Sequence, residues 1–269
     1  DVEMQNGNIE NFKTIETLIN KYMPEEVYNL AAQSSVGKSF SYPLETTQSI
    51  IDGTINILEV SKKINFTGKI FFAGSSEIFG LTEKAASLED IKRPVNPYGI
   101  AKQASLNLVK IYRTHMGLKC VTGVLFNHES SLRSEKFVTQ KIISGAIECL
   151  KNKNLQIKLG NINIERDWGC AEEYVEGMQV ITRASNCQDQ IICTGRATQL
   201  KDFIQIVFKK LNLNWKNHIV IDEHLLRPSD ILKNFGNPAK MSNELNWKAK
   251  VTLEELINRM IDDQMNRKN

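Results

Sequence analysis

Short apolar runs alternate with helical segments over residues 1–127, and this alternation constrains the fold more than any other feature. The apolar runs, typical of buried strands, are 27–32, 69–73 and 121–126. The segments with apolar residues at helical spacing are 9–22, 46–62 and 97–116. Because strands separated by helices assemble into parallel sheets covered on both faces, we predict an α/β fold with a doubly wound parallel sheet.

Local signals mark the ends of two of these helices. Pro24 ends the first, because proline cannot continue a helix. Asn96 and Pro97 open the third, since asparagine suits the N-cap and proline the first turn. We expect this helix to end near Met116, with Gly117 as its stop.

The pattern is less regular after residue 128. Helices are predicted at 137–151, 200–211, 240–245 and 252–265, and strands at 155–159, 190–194 and 218–222. The segment 166–184 is amphipathic. We therefore predict two domains, one formed by 1–127 with 166–194 returning to it, and a smaller α+β lobe formed mainly by 128–269.

Polar residues directly follow three of the predicted strands. The clusters are Gln33-Ser34-Ser35, Gly74-Ser75-Ser76 and Asn127-His128-Glu129. Because ligands bind at the carboxyl ends of the strands in open parallel sheets, we expect these clusters to converge on one edge.

Tyr98 and Lys102 lie four residues apart and therefore face the same side of a helix. A nearby ammonium favours the phenolate and lowers the pKa of a tyrosine, which makes Tyr98 a candidate base near neutral pH. Ser75 can hydrogen-bond the oxygen that Tyr98 deprotonates, and Glu77 can remove a carbon-bound proton. The alternatives are a surface lysine beside a packing tyrosine, a turn-capping serine and a solvated glutamate.

Three further side chains have two interpretations each. His128 follows the third strand, where it is either a ligand contact or a structural histidine. Arg166 and Arg227 can pair bidentately with a diphosphate, or they can form salt bridges. No cluster of His, Cys and carboxylate residues has the spacing of a metal site, so we predict none.

Composition argues against several classes of protein. The net charge is +3, and no Lys/Arg block indicates a nucleic-acid or membrane-surface partner. No apolar run approaches the roughly 20 residues of a membrane span. The five cysteines match no zinc pattern, so we expect reduced thiols and a cytoplasmic location.

Longer motifs carry a family resemblance over nearly the whole chain. They are EVYNLAAQSSV, FFAGSSEIFG, NPYGIAK, GVLFNHES, FVTQKI, LGNINIERDWG, LLRPSD and KMSNELNW. The pair Tyr98 and Lys102 resembles that of the extended short-chain dehydrogenases/reductases, and LFNHES followed by FVTQKI narrows the resemblance to the GDP-mannose 4,6-dehydratase family. The resemblance implies a Rossmann-like fold and a lyase that converts GDP-mannose to GDP-4-keto-6-deoxymannose, by internal redox with NADP rather than NAD and loss of water.

The family also implies a role for individual residues. The catalytic set would be Ser75, Glu77, Tyr98 and Lys102. The cofactor would contact Asp1, Val2, Leu30, Ala31, Ala32, Gln33, Ser34, Tyr98, Lys102, His128 and Arg133. The nucleotide sugar would contact Ser76, Asn127, Val138, Lys141, Gly160, Arg166, Arg227 and Asp230. Homodimers or homotetramers, formed through the helices at 46–62 and 97–116, are implied as well.

The sequence departs from the family pattern mainly by an absence. It has no G-x-x-G-x-x-G loop, which in the family cradles the cofactor pyrophosphate, so we expect roughly sixty further residues with N-terminal strands upstream. Smaller departures are Ser75 for threonine, Glu45 for tyrosine, Leu132 for arginine and Cys170 for histidine.

Other functions remain open from the sequence. They are a dehydratase of GDP-heptose or CDP-glucose, an epimerase or ketoreductase of the same fold, and a non-catalytic sensor or scaffold. Glu77 beside Ser75 favours a dehydratase, because the epimerase and ketoreductase reactions do not need a carboxylate for loss of water.

Overall fold

The computed structural model describes residues 2–267. Its strands are β1 (Glu26–Asn29), β2 (Lys69–Ser75), β3 (Cys120–Leu125), β4 (Asn127–Glu129), β5 (Ile157–Leu159), β6 (Glu165–Arg166), β7 (Trp168–Cys170), β8 (Gln190–Ile192), β9 (Thr198–Gln199), β10 (Ile219–Ile221) and β11 (Lys233–Asn234). Its α-helices are α1 (Phe12–Tyr22), α2 (Val36–Ser41), α3 (Pro43–Lys63), α4 (Pro97–Met116), α5 (Val138–Lys151), α6 (Ala171–Arg183), α7 (Leu200–Lys210), α8 (Ala239–Leu245) and α9 (Leu253–Arg267). The chain divides into two compact units.

The first unit is built on a parallel sheet. It consists of residues 2–80, Leu88–Leu125 and Met178–Ile191. The strand order is β1-β2-β3-β8, and β2 runs parallel to both β1 and β3. All six residues of β3 are buried, as expected for a strand covered on both faces. The α/β fold with a parallel sheet, predicted from the alternation of strands and helices, is therefore confirmed.

The strand β1 is shorter than the predicted segment 27–32. Asn29 Oδ1 accepts a hydrogen bond from the Ala31 backbone N–H at 3.2 Å, and this local turn takes residues 30–32 out of the ladder. All four β1 residues are half-buried, so the prediction of a buried strand was wrong for this element. The chain beyond Asn29 is consequently a loop at the carboxyl edge of the sheet.

The helix α4 has the predicted ends. Asn96 caps it, because its side chain accepts a hydrogen bond from the Gly99 N–H, and Pro97 is its first residue. It ends at Met116, and Gly117 takes a left-handed conformation with φ of 74°. In contrast, α1 begins three residues later than predicted, since Asn11 caps it at Phe12.

The second unit contains three small sheets around its own apolar core. It consists of Leu81–Ser87, Phe126–Gly177 and the described residues from Ile192 onward. The sheets pair β10 with β5, β6 with β11 and β9, and β4 with β7. Its core includes Trp168, Phe203 and Met260.

Strand pairing determines the structure of two segments of the second unit. The segment 166–184 begins with strand residues, and its helix starts only at Ala171, because Arg166 pairs with Asn234 and Trp168 pairs with Asn127. The cluster Asn127-His128-Glu129, which follows β3, forms the strand β4 by pairing with β7. Strands this short are defined by their partners and not by sequence periodicity.

The cysteines are free thiols, as predicted. Cys120, Cys149, Cys170 and Cys193 are buried, and Cys187 is half-buried. Between residues 2 and 267, no helix is both long enough and apolar enough to cross a bilayer.

Candidate active site

The end of β2 supplies two hydroxyl groups and a carboxylate. Ser75 is the last residue of β2, and Ser76–Ile78 form a single 3₁₀ turn that carries Glu77. Ser75 Oγ accepts a hydrogen bond from the Glu77 N–H at 3.3 Å, so the hydroxyl proton of Ser75 points elsewhere. Both serines are buried, and Glu77 is half-buried.

The first turns of α4 supply the phenol and the ammonium. Tyr98 and Lys102 are each 9% exposed, and Lys102 Nζ lies 5.7 Å from the centre of the Tyr98 ring. Lys102 Nζ donates a hydrogen bond to the Ala73 carbonyl at 2.7 Å. Burial lowers the pKa of Lys102 to about 8, because the ammonium loses its hydration. The structure therefore brings the catalytic candidates of β2 and α4 together in one unit.

Lys102 has hydrogen-bonding capacity left for a ligand. In the described part of the chain Ala73 O is its one acceptor, whereas an ammonium carries three N–H donors. The side chain lines a small cleft together with Asn29, Ala31, Gly74, Ser105 and Thr122, among others. The remaining N–H groups of Lys102 can donate to the hydroxyl groups of a ribose, so Lys102 is a candidate contact for a nucleotide cofactor.

The loop after β1 supplies the remaining cofactor candidates of the first unit. Leu30, Ala31 and Ser34 are exposed, whereas Ala32 and Gln33 are half-buried. The Gln33 amide is used within the protein, since its Nε2 donates to Ser35 O and to Thr46 Oγ1. Gln33 thus shapes the loop, and the exposed backbone around it is available to a ligand. Val2 is 87% exposed, and Asp1 lies outside the described residues.

His128 and Arg133 belong to the second unit. His128 Nδ1 lies 2.9 Å from Phe126 O, and the ring is 5.0 Å from the Tyr174 ring centre. Burial lowers the pKa of His128, so its imidazole is neutral at pH 7. The Arg133 guanidinium packs 3.5 Å from the Phe137 ring centre, and its Nε lies 3.3 Å from the Glu129 carboxylate.

The second unit also brings two nucleotide-sugar candidates, both arginines, together around a third, the Asp230 carboxylate. Arg166 Nη2 lies 3.5 Å from Asp230 Oδ1, and Arg227 Nη1 lies 3.9 Å from the same oxygen. Arg166 is 4% exposed and also donates to Ile231 O at 2.6 Å. Both arginines therefore form salt bridges, and their guanidinium groups converge on the same carboxylate oxygen.

The other substrate candidates of this unit lie on nearby elements. Lys141 Nζ donates to Lys158 O at 2.6 Å, and Val138 is the first residue of α5. A Cβ atom at Gly160 would lie only 2.7 Å from the Leu225 carbonyl, so this position requires glycine. Asn127 begins β4, whereas Ser76 lies in the first unit.

Sequence reasoning missed two positioning residues. Asn96 was predicted only as a helix cap, but its Nδ2 also donates to Glu77 Oε2 at 2.7 Å. Asp167 is fully buried and accepts hydrogen bonds from Thr194 N, Thr194 Oγ1 and Gly195 N, which fixes the backbone beside Arg166. The sequence signal available for Asp167 was a carboxylate directly before Trp168 in ERDWG. Within residues 2–267 no group of three or more His, Cys, Asp or Glu side chains could hold a metal ion.

Comparison with known proteins places these residues in a family. The sequence model of the family described as GDP-mannose 4,6 dehydratase matches residues 1–260. GDP-mannose 4,6 dehydratase 1 of Arabidopsis thaliana is 34% identical over 268 residues, which cover 98% of this chain and 74% of the relative.

Two solved structures show the same fold at low identity. RMD from Pseudomonas aeruginosa, complexed with NADPH, has a TM-score of 0.87 at 21% identity, over 98% of this chain and 88% of that one. dTDP-glucose 4,6-dehydratase from Bacillus anthracis, in complex with NAD, has a TM-score of 0.83 at 19% identity, over 97% and 79%. The fold is thus of the Rossmann type, and the match over nearly the whole sequence shows that the chain belongs to the GDP-mannose 4,6-dehydratase family.

Proposed function

We propose that the protein is a hydro-lyase that converts GDP-mannose to GDP-4-keto-6-deoxymannose. The observation that carries this proposal is the meeting of a Tyr-Lys pair on α4 with a carboxylate, Glu77, held at the end of β2. A tyrosine and a carboxylate in one site can remove two protons from a sugar. The tyrosine takes the proton of a hydroxyl group, and the carboxylate takes a proton bound to the neighbouring carbon. Relatives of this chain carry the name of that activity, which supports the choice of substrate.

The cofactor is proposed to be NADP. The proposed contacts are Val2, the loop 30–34, Tyr98 and Lys102, and further candidates are Asp1, His128 and Arg133. When bound, the nicotinamide supplies a hydride acceptor that later returns the hydride to the same sugar. One structural neighbour was solved with NADPH and another with NAD, so the preference for NADP is part of the proposal.

Each catalytic side chain has one task at the sugar. Tyr98 begins the step as a phenolate, which the Lys102 ammonium favours, and its Oη takes the proton of the hydroxyl on carbon 4 to become a neutral phenol. Ser75 Oγ–H donates to the oxygen on carbon 4, because its lone pairs already accept from the Glu77 N–H. Once carbon 4 is a ketone, the proton on carbon 5 becomes acidic, and Glu77 removes it and protonates the hydroxyl that leaves carbon 6.

The second unit is proposed to hold the nucleotide sugar. Arg166 and Arg227 would bind the diphosphate bidentately, and Asp230 would orient both guanidinium groups. The other proposed contacts are Ser76, Asn127, Val138, Lys141 and Gly160.

The active assembly is proposed to be a homodimer or homotetramer in the cytoplasm. Leu44 on α3 and Ile100 and Ile111 on α4 are 68%, 54% and 45% exposed, which supports association through these two helices. Light scattering on the purified protein tests the oligomeric state.

The first test is a product assay by mass spectrometry. Incubation with GDP-mannose and NADP should give a product lighter by one water, with no net formation of NADPH. Glu77→Gln should abolish the product, because an amide cannot take the proton from carbon 5. The exposed Glu83 offers a matched control, and Glu83→Gln should leave the activity unchanged. Absence of product with bound cofactor contradicts the GDP-mannose assignment, and a product of unchanged mass indicates an epimerase.

A further inference from the structure

We propose that Asn96 is a positioning residue that fixes the Glu77 carboxylate for proton removal from the sugar, an inference that rests on the proposed function. Asn96 is 3% exposed, and both ends of its side-chain amide are used. Its Nδ2 donates to Glu77 Oε2 at 2.7 Å, and its Oδ1 accepts from the Gly99 N–H at 2.8 Å. Because the Gly99 N–H can only donate, the oxygen and nitrogen of the amide have one possible orientation.

The contact joins the two elements that carry the catalytic groups. Asn96 is the residue that caps α4, and Tyr98 is the second residue of the same helix. Glu77 lies in the 3₁₀ turn after β2. The backbone of Gly99 packs closely against this turn, since a Cβ atom added at Gly99 would lie 2.8 Å from the carbonyl oxygen of Glu77. The helix start therefore holds both the backbone and the carboxylate of Glu77, so Asn96 sets the distance between the carboxylate and the phenol.

The hydrogen bond also decides which carboxylate oxygen reacts. Asn96 occupies Oε2, and no hydrogen bond from the described residues reaches Oε1. In the elimination, Oε1 takes the proton from carbon 5, and the released electron pair forms the double bond between carbons 5 and 6. The bond between carbon 6 and its oxygen breaks, and the proton held on Oε1 joins the leaving hydroxyl to give water.

Asparagine is suited to this dual position because it carries an acceptor and a donor on one short side chain. Aspartate caps a helix as well as asparagine does, but its ionised form has no donor for Glu77. Asn96→Asp therefore retains the cap and removes the bond to the carboxylate, and it adds like-charge repulsion. Asn11 caps α1 by accepting from the Thr14 N–H. Its side chain makes no second hydrogen bond to the described residues, so Asn11→Asp is the matched control.

The test compares Asn96→Asp with Asn11→Asp in the full chain. Single-turnover experiments with GDP-mannose and NADP separate the two steps. The near-ultraviolet absorbance of reduced nicotinamide follows oxidation at carbon 4, and solvent-deuterium uptake at carbon 5 follows the proton removal of the elimination. Asn96→Asp should slow elimination about 10- to 100-fold, so that reduced nicotinamide accumulates, because a misplaced reacting group loses this much rate. Asn96→Asp should also lower the melting temperature, because it places a second carboxylate beside that of Glu77. Asn11→Asp should behave as wild type in every readout.

Two results would overturn the inference, and one of them spares the proposed function. Equal slowing of oxidation and elimination, or no slowing at all, would show that Asn96 is only a cap. If Glu77→Gln is inactive in the same experiment, the proposed function still stands. If Glu77→Gln eliminates water at the wild-type rate, the proposed function fails and this inference with it.

Discussion

Lys102 combines a charge with an almost fully buried position. The residue is 9% exposed, and the hydrogen bond from its ammonium to Ala73 O replaces only part of the lost hydration. A fall in the pKa from 10.5 to about 8 corresponds to a stability penalty of about 3 kcal/mol for the charged form at pH 7. Sites that carry catalytic charges commonly retain such penalties, because function requires the charge in that place.

The penalty predicts how stability depends on pH. Because the folded state binds this proton less tightly than the unfolded chain, the penalty is complete below pH 8 and is relieved as the pH rises from about 8 toward 10.5. Relative to Lys102→Met, the wild-type free energy of unfolding should rise by about 2 kcal/mol between pH 7 and pH 10. Urea unfolding of both proteins at the two pH values measures this difference. A constant difference would mean that Lys102 is hydrated in the folded state.

The sequence identified the catalytic candidates but not all of their partners. Tyr98 and Lys102 were predicted to share a face because helical spacing is a local property, and the structure places them side by side. The bond from Asn96 to Glu77 spans 19 residues and depends on how a turn packs against a helix start. No local pattern contains that information, so the second role of Asn96 became visible only in three dimensions.

At the scale of elements, the start of α4 is packed tightly against the turn after β2. A Cβ atom at Gly99 would lie 2.8 Å from Glu77 O and 3.0 Å from the Pro94 side chain. Gly99→Ala should lower the free energy of unfolding by about 1–2 kcal/mol, although alanine is the better helix former, because the helix must move away. The product assay should show reduced activity, since the Glu77 carboxylate moves relative to Tyr98.

A second helical glycine serves as the control for this substitution. Gly37 in α2 is exposed. A Cβ atom added at Gly37 would have Ser35 Oγ as its nearest contact, at 3.9 Å. Gly37→Ala should therefore leave stability unchanged or raise it by about 0.5–1 kcal/mol, through helix propensity alone. Equal effects of the two substitutions in thermal unfolding would contradict the steric explanation.

Elements with local signals were predictable, and elements without them were not. Both ends of α4 follow from residues within one turn of it, Asn96 with Pro97 and Gly117. The two-residue strand β6 has no periodicity to detect, because it exists only through its pairing with β11 and β9. The strand β4 also exists only through its pairing, here with β7. In this pairing Asn127 lies opposite Trp168, which is 41 positions further along the chain.

At the scale of the whole molecule, a late segment of the chain completes the first unit. Residues 178–191 return to it, and Asp189 forms a bidentate pair with Arg113, with both N–O distances 2.7 Å. Asp189 also accepts from the Thr122 N–H on β3 at 2.8 Å. The side chains are 16% and 11% exposed, so the pair joins α4, β3 and the segment before β8 within a mostly dry environment.

Removing one partner of this pair should destabilise the protein strongly. Asp189→Ala should lower the free energy of unfolding by about 3 kcal/mol, because it leaves the Arg113 guanidinium and the Thr122 N–H without their acceptor. Glu254→Ala removes an exposed ion pair, in which the side chains of Lys210 and Glu254 are 39% and 66% exposed. This substitution should change the free energy of unfolding by less than about 1 kcal/mol. Denaturant unfolding of both variants tests this contrast, and comparable losses would show that burial does not decide the strength of the pair.

The reactivity of the buried cysteines can report how often the folded protein opens locally. Burial raises the pKa of Cys120 on β3 to about 12 and that of Cys193 well above the ordinary value, so thiolate is scarce at both positions in the folded protein. Alkylation at neutral pH therefore proceeds from states in which the sheet has opened around each sulfur. The labelling rate of each cysteine measures how often its surroundings come apart, strand by strand, as amide exchange does for the backbone.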